Sequence, residues 1–283
     1  MALTIAAPRW RLVDAMLAGY GVIVAALAAT RLGQPGMVAV LGAHLALPVL
    51  AWLVVHAPPT ATSRTLRALY PIILLTALYS AIDILNGFGA VTTIDHQLQS
   101  VEWRIFGEQP SRDWWRAHPS AFWSIVFHSA YLSYYLVITV PILYFLARRR
   151  TAAIERFLDG LLATYVICYL FYIFLPAAGP YYEFPRPSGA FIANLPARMV
   201  YAALSGGSAY GAAFPSSHVA ATVACAIGGW RGSRRLGMIL CVPAVLMTVG
   251  VVYCQMHYVV DSAAGLITGA VVAGYAGRRA TTA

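Results

Sequence analysis

Two short polar clusters in an apolar part of the sequence contain residues that could carry out a reaction together. The first reads Phe-Pro-Ser-Ser-His at 214–218, and the second reads His-Tyr-Val-Val-Asp at 257–261. On a helix, His257 and Asp261 share one face, where a carboxylate orients an imidazole and stabilises its charged form. Together with His218 they permit phosphoryl transfer, in which one histidine attacks phosphorus and the other protonates the leaving oxygen.

The first cluster also predicts a phosphate site. Pro215 favours the first position of a helix, and the opening turn of a helix exposes unpaired N–H groups at its positive end. Ser216 and Ser217 would add hydroxyl donors for phosphate oxygens. His218 belongs to the same turn, so the predicted phosphate site and a catalytic histidine coincide.

The elements that must position these clusters are two apolar segments of membrane-spanning length. They lie between the two histidines and are joined by a turn that contains Arg231, Arg234 and Arg235. A helix that crosses a bilayer and a helix that returns bring the chain back to the side it left. We therefore expect both clusters to meet at one face of a membrane.

The composition indicates an integral membrane protein. The chain has 283 residues, of which 60% are hydrophobic and 10% charged, whereas soluble domains have roughly 25% charged residues. All 19 basic residues are arginines, in short clusters between apolar runs, which argues against a nucleic-acid partner. The four cysteines show no paired spacing and are expected to be buried free thiols: Cys168, Cys225, Cys241 and Cys254.

Apolar runs of about 20 residues predict an all-α polytopic bundle of about eight transmembrane helices. The segment at 215–230 is short, so its first turn is expected at the membrane interface. The eight predicted helices are 11–31, 36–56, 67–88, 120–147, 154–175, 215–230, 235–254 and 258–277.

Arginine placement predicts the orientation. With a cytoplasmic N-terminus, thirteen arginines lie inside and six outside, and every tight cluster lies inside, as the positive-inside rule requires. We therefore expect a multi-pass protein of the cell membrane with both termini cytoplasmic and the two polar clusters extracytoplasmic.

Two long segments then lie outside. Residues 90–119 mix acidic and aromatic side chains, which predicts one or two amphipathic helices in the headgroup layer, acting either as an anchor or as a lid. Residues 176–214 are rich in proline, glycine and tyrosine, cannot be helical throughout, and would form an active-site loop.

The two clusters resemble motifs of the type 2 phosphatidic acid phosphatase superfamily, in particular its branch with inositol phosphorylceramide synthase and sphingomyelin synthase. The resemblance extends to 95–110 and to Gly-Pro-Tyr at 179–181, and covers roughly 67–277. It implies a six-helix phosphatase-type core within 63–283, with two additional helices in 1–62.

The resemblance also implies roles for the clustered residues. His257 would be the nucleophile that forms a phosphohistidine, Asp261 would orient it, and His218 would protonate the leaving group. Ser216, Ser217 and backbone amides would bind the phosphate without a metal or another cofactor.

The chain departs from the phosphatase branch at its cationic positions. Gly179 stands where that branch has a lysine, and Gly250 and Val251 stand where it has Ser-Arg; the phosphotransferase branch shares these gaps. Arg186 remains as the expected phosphate clamp.

Other candidate substrate contacts are Arg198, Tyr181, Tyr182 and Tyr253. Two residues within the membrane, Asp83 and His128, are further candidates, although they could equally form a buried hydrogen-bonded pair. Structural roles are expected for Asp14, His44, His56 and Asp159.

The leading functional interpretation is a phosphatase or phosphoesterase that acts on a phospholipid or lipid phosphate in the outer leaflet. A phosphotransferase that moves a phospho-headgroup to an alcohol or lipid acceptor is the close alternative, because no residue decides between water and an alcohol. Two further alternatives are a transporter with a path through His128, Asp83 and His257, and a metal site at His218, His257 and Asp261. Beyond the lipid substrate and the bilayer, no obligate protein partner is evident.

Overall fold

The computed structural model describes residues 10–58 and 60–279. This part of the chain is helical and contains no strand, only an isolated bridge between Ala177 and Ala212. Its helices are α1 (Leu12–Ala29), α2 (Met37–His56), α3 (Ala61–Leu85), α4 (Asp95–Phe106), α5 (Pro110–Ala117), α6 (Ala121–Leu132), α7 (Tyr134–Ala147), α8 (Thr151–Phe174), α9 (Pro180–Glu183), α10 (Leu195–Gly207), α11 (Ser217–Gly232), α12 (Arg234–Tyr253) and α13 (Val259–Arg279).

The architecture is that of a multi-pass membrane bundle, which confirms the predicted fold class. Six helices of the described chain are long and apolar enough to cross a membrane: α1, α2, α3, α8, α12 and α13. The bent pair of α6 and α7 would make a seventh. The predicted count of eight is not confirmed, because α11 has only 16 residues, or about 24 Å at 1.5 Å per residue, against a hydrocarbon core of about 30 Å.

The segment predicted as one helix at 120–147 is two helices, which corrects the prediction. α6 and α7 meet at Ser133 with a bend of 45°. The Ser133 hydroxyl donates to the carbonyl of Ala130 at 2.6 Å, and a serine that bonds back to the preceding turn bends a helix. Hydrophobic periodicity does not register this break, because both halves are apolar.

The centre of the bundle is α8, in which 16 of the 24 residues are buried. α1, α3, α7, α11 and α13 pack around it, and α2 packs against α1. The two helices predicted as an addition contact the rest of the chain directly, α1 through α8 and α3, and α2 through α3. The proposed division into 1–62 and 63–283 stays a prediction, and its residues 1–9, 59 and 280–283 lie outside the described chain.

Two glycines allow α13 to approach the start of α11 closely. A Cβ at Gly265 would lie 2.5 Å from the carbonyl oxygen of Ser216, and a Cβ at Gly269 would collide with the carbonyl of Ala220. Small residues four apart permit such close helix packing in membranes. This contact brings the beginnings of α11 and α13 together.

The two outer segments hold more structure than the sequence indicated. Residues 90–119 form α4 and α5, as predicted, but Asp95 and Glu102 on α4 are buried rather than solvated. The loop at 176–214 is not helical throughout, as predicted, yet it contains the 13-residue helix α10, which packs against α6.

At the opposite end of the bundle, Asp14 is fully buried among polar partners. Its carboxylate accepts hydrogen bonds from Arg11, Arg67 and Tyr70, which fits the structural role expected for it.

The four cysteines are free thiols, but Cys241 on α12 is exposed, which corrects the expectation that all four are buried. α12 packs mainly against α11 and α6, and Cys241 lies on a side of the helix outside these contacts.

Candidate active site

The serine pair lies at the start of α11, with one correction to the prediction. Ser216 is the N-cap, and its hydroxyl accepts from the N–H of Val219 at 3.4 Å. Pro215 therefore precedes the cap and is not the first helical residue. Serine is a favoured N-cap because its hydroxyl replaces a missing helical acceptor, and here that preference sets the boundary.

The start of α11 is held by α8. The Tyr172 hydroxyl accepts from the N–H of Ser217 and donates to the carbonyl of Pro215, both at 3.0 Å. With the N–H of Val219 bound by the cap, the N–H of His218 has no acceptor among the described residues. One backbone donor thus remains available at the positive end of this helix.

The second cluster spans the turn between α12 and the start of α13. The N–H groups of Met256 and His257 both donate to the carbonyl of Val251, at 2.8 and 3.0 Å, which fixes the turn. The N–H of Ser216 donates to the carbonyl of Asp261 at 3.0 Å. The two clusters, about forty residues apart in sequence, are thus directly bonded to each other.

His257 and Asp261 form the closest pair of ionisable groups in the cluster. Nδ1 of His257 lies 3.5 Å from Oδ2 of Asp261, and that oxygen accepts from the N–H of Tyr258 at 2.9 Å. This separation is longer than a hydrogen bond, and catalytic hydrogen bonds of this kind often tighten only when substrate binds. Burial lowers the pKa of His257 to about 4, opposed by the carbonyl of Ala213, so the imidazole is neutral at pH 7.

His218 faces His257 with 6.2 Å between the ring centroids. Two tyrosines enclose the His218 ring: Tyr131 stacks on it and Tyr134 tilts against it, each with centroids 4.5 Å apart. These tyrosines were not identified from the sequence. The sequence pattern around an aromatic residue on an apolar helix is the same whether that residue packs in the core or beside a catalytic ring, so the sequence could not single them out.

Both histidines open into a cavity of about 440 Å³. Ser217 also lines it, whereas Ser216 is fully buried beneath the site. From the histidines the cavity runs between α3 and α7, where Leu75 and Ile138 line it. The rest of its wall is rich in tyrosine, with Tyr79, Tyr131, Tyr134, Tyr135, Tyr165, Tyr169, Tyr181 and Tyr182.

A second, polar cavity of about 450 Å³ adjoins the first and shares Tyr79, Tyr181 and Tyr182 with it. Asp83 and Arg186 line this second cavity. The Arg186 guanidinium lies 4.4 Å from the ring centroid of Tyr181, whose buried hydroxyl has no hydrogen-bond partner in the part of the chain that the structure describes. Arg186 is therefore placed beside the histidine cavity and does not line it.

Three of the predicted substrate contacts lie outside both cavities. His128 bonds to Ser124 in the contact between α6 and α10. The Tyr253 hydroxyl donates to the carbonyl of His118 at 2.7 Å, and Arg198 is exposed on α10. The alternative of a buried pair between Asp83 and His128 is also not realised, because Asp83 accepts instead from the N–H of Tyr210 at 2.7 Å.

The fold and the site define a class: a multi-pass helical membrane protein in which two histidines line a cavity at the starts of two helices, with a carboxylate beside one of them. The family model described as the PAP2 superfamily matches residues 96–275, and the chain belongs to that superfamily. Members of this superfamily have phosphoesterase or phosphotransferase activity in general, so the chain is an enzyme of this broad type. No curated protein and no solved structure matches the chain.

Proposed function

We propose that this protein is a membrane-embedded lipid phosphate phosphatase or phosphoesterase that acts through a phosphohistidine. The observation that carries the proposal is the arrangement of the two imidazoles, which face each other across the end of one cavity with Asp261 behind His257. A phosphoryl group between the rings would have a nucleophile on one side and a proton donor on the other.

The reaction takes place in two steps. Burial and the neighbouring His257 hold the pKa of His218 low, so His218 takes up its proton together with the anionic phosphate. Nε2 of neutral His257 then attacks phosphorus, the bond from phosphorus to the lipid oxygen breaks, and His218 gives that proton to the lipid oxygen. Water then attacks the phosphohistidine, His218 takes a proton from the water, and phosphate leaves as His257 is regenerated. Asp261 stabilises the charge that develops on His257, and Ser217 with the N–H of His218 would bind the phosphoryl oxygens.

The shape of the cavity supports a lipid substrate. The wall between α3 and α7 is aliphatic and aromatic, and these helices belong to the membrane-spanning part of the bundle. A hydrocarbon chain there would be removed from water while its phosphate reached the histidines. A small water-soluble phosphate ester would fit the same site, but without a hydrocarbon chain it would lack this binding energy.

A phosphotransferase is the second candidate, and the polar cavity favours it. A leaving headgroup or an incoming alcohol in that cavity would lie beside the histidines and could bind Asp83 and the free hydroxyl of Tyr181. Transfer differs from hydrolysis only in the second step, where an alcohol oxygen replaces water. Membership of the inositol phosphorylceramide synthase branch is part of this second proposal.

The proposed location is the cell membrane, with the site on the extracytoplasmic side. The arginines near 150 and 231 lie at the end of the bundle away from the histidines, where Arg150 and Arg231 bind backbone carbonyls of α11 and α13. The positive-inside rule assigns that end to the cytoplasm.

The test is turnover of a panel of lipid phosphates by detergent-purified protein in EDTA. His257→Ala and Asp261→Asn should each lower kcat by about 10²-fold or more, while His118→Ala, which changes an exposed imidazole of the same outer region, should leave it unchanged. Phosphate release would indicate a phosphatase, and a new phospholipid formed only with an added alcohol would indicate a transferase. Full activity of His257→Ala would refute the mechanism, and no turnover by the wild type would favour a transporter.

A further inference from the structure

The inner face of α4 is polar although its outer face is apolar. Asp95, Gln99 and Glu102 follow each other at spacings of four and three, so they form one stripe along the helix. Asp95 and Glu102 are buried, at 2% and 0% exposure, whereas Trp103 and Phe106 are exposed on the other side. An interfacial anchor needs only the apolar face, so the buried carboxylates require another explanation.

The first carboxylate of the stripe binds the cavity wall and the residue after the nucleophile. Asp95 accepts from the N–H groups of Ala178 and Gly179 at 2.7 and 2.8 Å. It also accepts from the hydroxyl of Tyr258 at 3.0 Å, and Gln99 donates to the same hydroxyl at 2.9 Å. Tyr258 is thus fixed by its side chain to α4.

The second carboxylate binds the first turn of α13. Glu102 Oε1 accepts from the N–H of Val259 and, at 3.3 Å, from the N–H of Val260. The preceding N–H, that of Tyr258, is bound by Asp261. Two carboxylates therefore satisfy three consecutive backbone donors at this helix start, one from inside the helix and one from α4.

We propose that α4 is a strap that holds the His257–Asp261 pair in its reactive position, and that Glu102 is its positioning residue. Glu102 lines neither cavity, so it acts on the reaction only through the backbone of α13. Shifting that backbone moves Asp261 relative to His257, and catalysis is sensitive to errors of about 1 Å in such pairs. The inference rests on the proposed histidine mechanism and gives α4 a role beyond anchoring.

The surroundings of Glu102 make this contact dependent on pH. Asp261 on α13 is the titratable group that faces it, His257 and Tyr258 flank that helix start, and Asp95 lies two turns away on α4 with its oxygens bound. Burial raises the pKa of Glu102 to about 7, against the two N–H bonds, which lower it. The ionised carboxylate binds the N–H pair more strongly, so the strap loosens as the pH falls through 7.

The test compares Glu102→Gln with Glu108→Gln, a matched change at an exposed position just beyond α4. At pH 8, Glu102→Gln should lower kcat about tenfold with KM unchanged, because an amide oxygen replaces a charged acceptor. Between pH 6 and 8, kcat of the wild type should rise through a limb near pH 7 that Glu102→Gln lacks. Glu108→Gln should behave as the wild type in both respects.

Unchanged kcat in Glu102→Gln, or retention of the limb near pH 7, would overturn the inference. If Glu102→Gln does not fold, Tyr258→Phe tests the same strap, because it removes only the hydroxyl bound by Asp95 and Gln99; it should lower kcat severalfold without changing KM. A wild type that shows no turnover dependent on His257 would refute the proposed function itself. A fully active wild type with unaffected Glu102→Gln and Tyr258→Phe would refute the strap alone.

Discussion

The two histidines of the site differ in what surrounds them. Burial holds the pKa of both imidazoles well below its ordinary value, but Asp261 lies beside His257, where it stabilises the charge that the ring acquires when it attacks. His218 is enclosed by Tyr131 and Tyr134, which limit the orientation of its ring. Identical side chains thus acquire different roles from their neighbours.

At this scale the structure changes the interpretation of Arg186. The sequence predicts that it binds the phosphate, but it lies over Tyr181 and lines the polar cavity together with Asp83. A guanidinium in that position would contact the headgroup or an acceptor alcohol rather than the phosphoryl group. Asp83 lines the same cavity and would bind hydroxyl groups.

We therefore expect Arg186→Ala and Asp83→Asn to raise KM several-fold for a substrate with a hydroxylated headgroup, with little change for phosphatidic acid. Inhibition by vanadate, which reports on the phosphoryl position, should stay unchanged. Arg198→Ala, at an exposed position on α10, is the matched control. If Arg186→Ala instead weakened vanadate inhibition about tenfold, this would correspond to the loss of a charge-assisted bond of roughly 1.4 kcal/mol. That result would mean that Arg186 binds the phosphoryl group, as the sequence predicts.

At the scale of elements, the contact between α11 and α13 decides whether a site exists. Each helix carries one half of the polar residues, and Gly265 and Gly269 allow their backbones to approach. α4 then fixes the start of α13 from outside, and Tyr172 of α8 fixes the start of α11. Two further elements thus hold the two helix starts.

Replacing Gly269 by Val should separate α11 from α13, because the new side chain would meet the backbone of Ala220, which cannot move away as a flexible side chain could. We expect a loss of roughly 1 to 3 kcal/mol of stability and a decrease of kcat, measured by thermal unfolding in detergent and by turnover. Gly274→Ala, where a Cβ would meet nothing within 4 Å, should leave both unchanged. Wild-type turnover by Gly269→Val would mean that this close approach does not position the site.

At the scale of the whole molecule, the ends of the bundle differ in charge and in chemistry. The arginine clusters of the described chain lie at one end, and the histidines, α4 and α5 lie at the other. A membrane orients such an asymmetric bundle through its loop arginines, so the position of the site relative to the cell follows from the charges rather than from the fold.

The orientation can be tested with single cysteines in intact cells. Glu108→Cys, placed just beyond α4, should react with a membrane-impermeant thiol reagent added outside. Arg149→Cys, in the turn between α7 and α8, should react only after the cells are permeabilised. The parent protein controls for the native thiols, and the reverse labelling pattern would place the active site in the cytoplasm.

The sequence alone determines the class of the fold and the identity of the clustered residues. Apolar runs of sufficient length require helices that satisfy their own backbone in a membrane, and a serine pair and a histidine-carboxylate pair keep their local chemistry in any helix. The break at Ser133 and the helix α10 could not be predicted, because both depend on local hydrogen bonds that hydropathy does not contain.

Only the tertiary structure decided which of the remaining polar residues belong to the site. His128 and Asp83 carry the same sequence signal, an ionisable group in an apolar helix, yet one is bonded within α6 and the other lines a cavity. Glu102 carried the signal of a solvated amphipathic helix and is instead buried against α13. Which helix faces which is set by packing between distant segments, and a linear pattern of residues records only the neighbours along the chain.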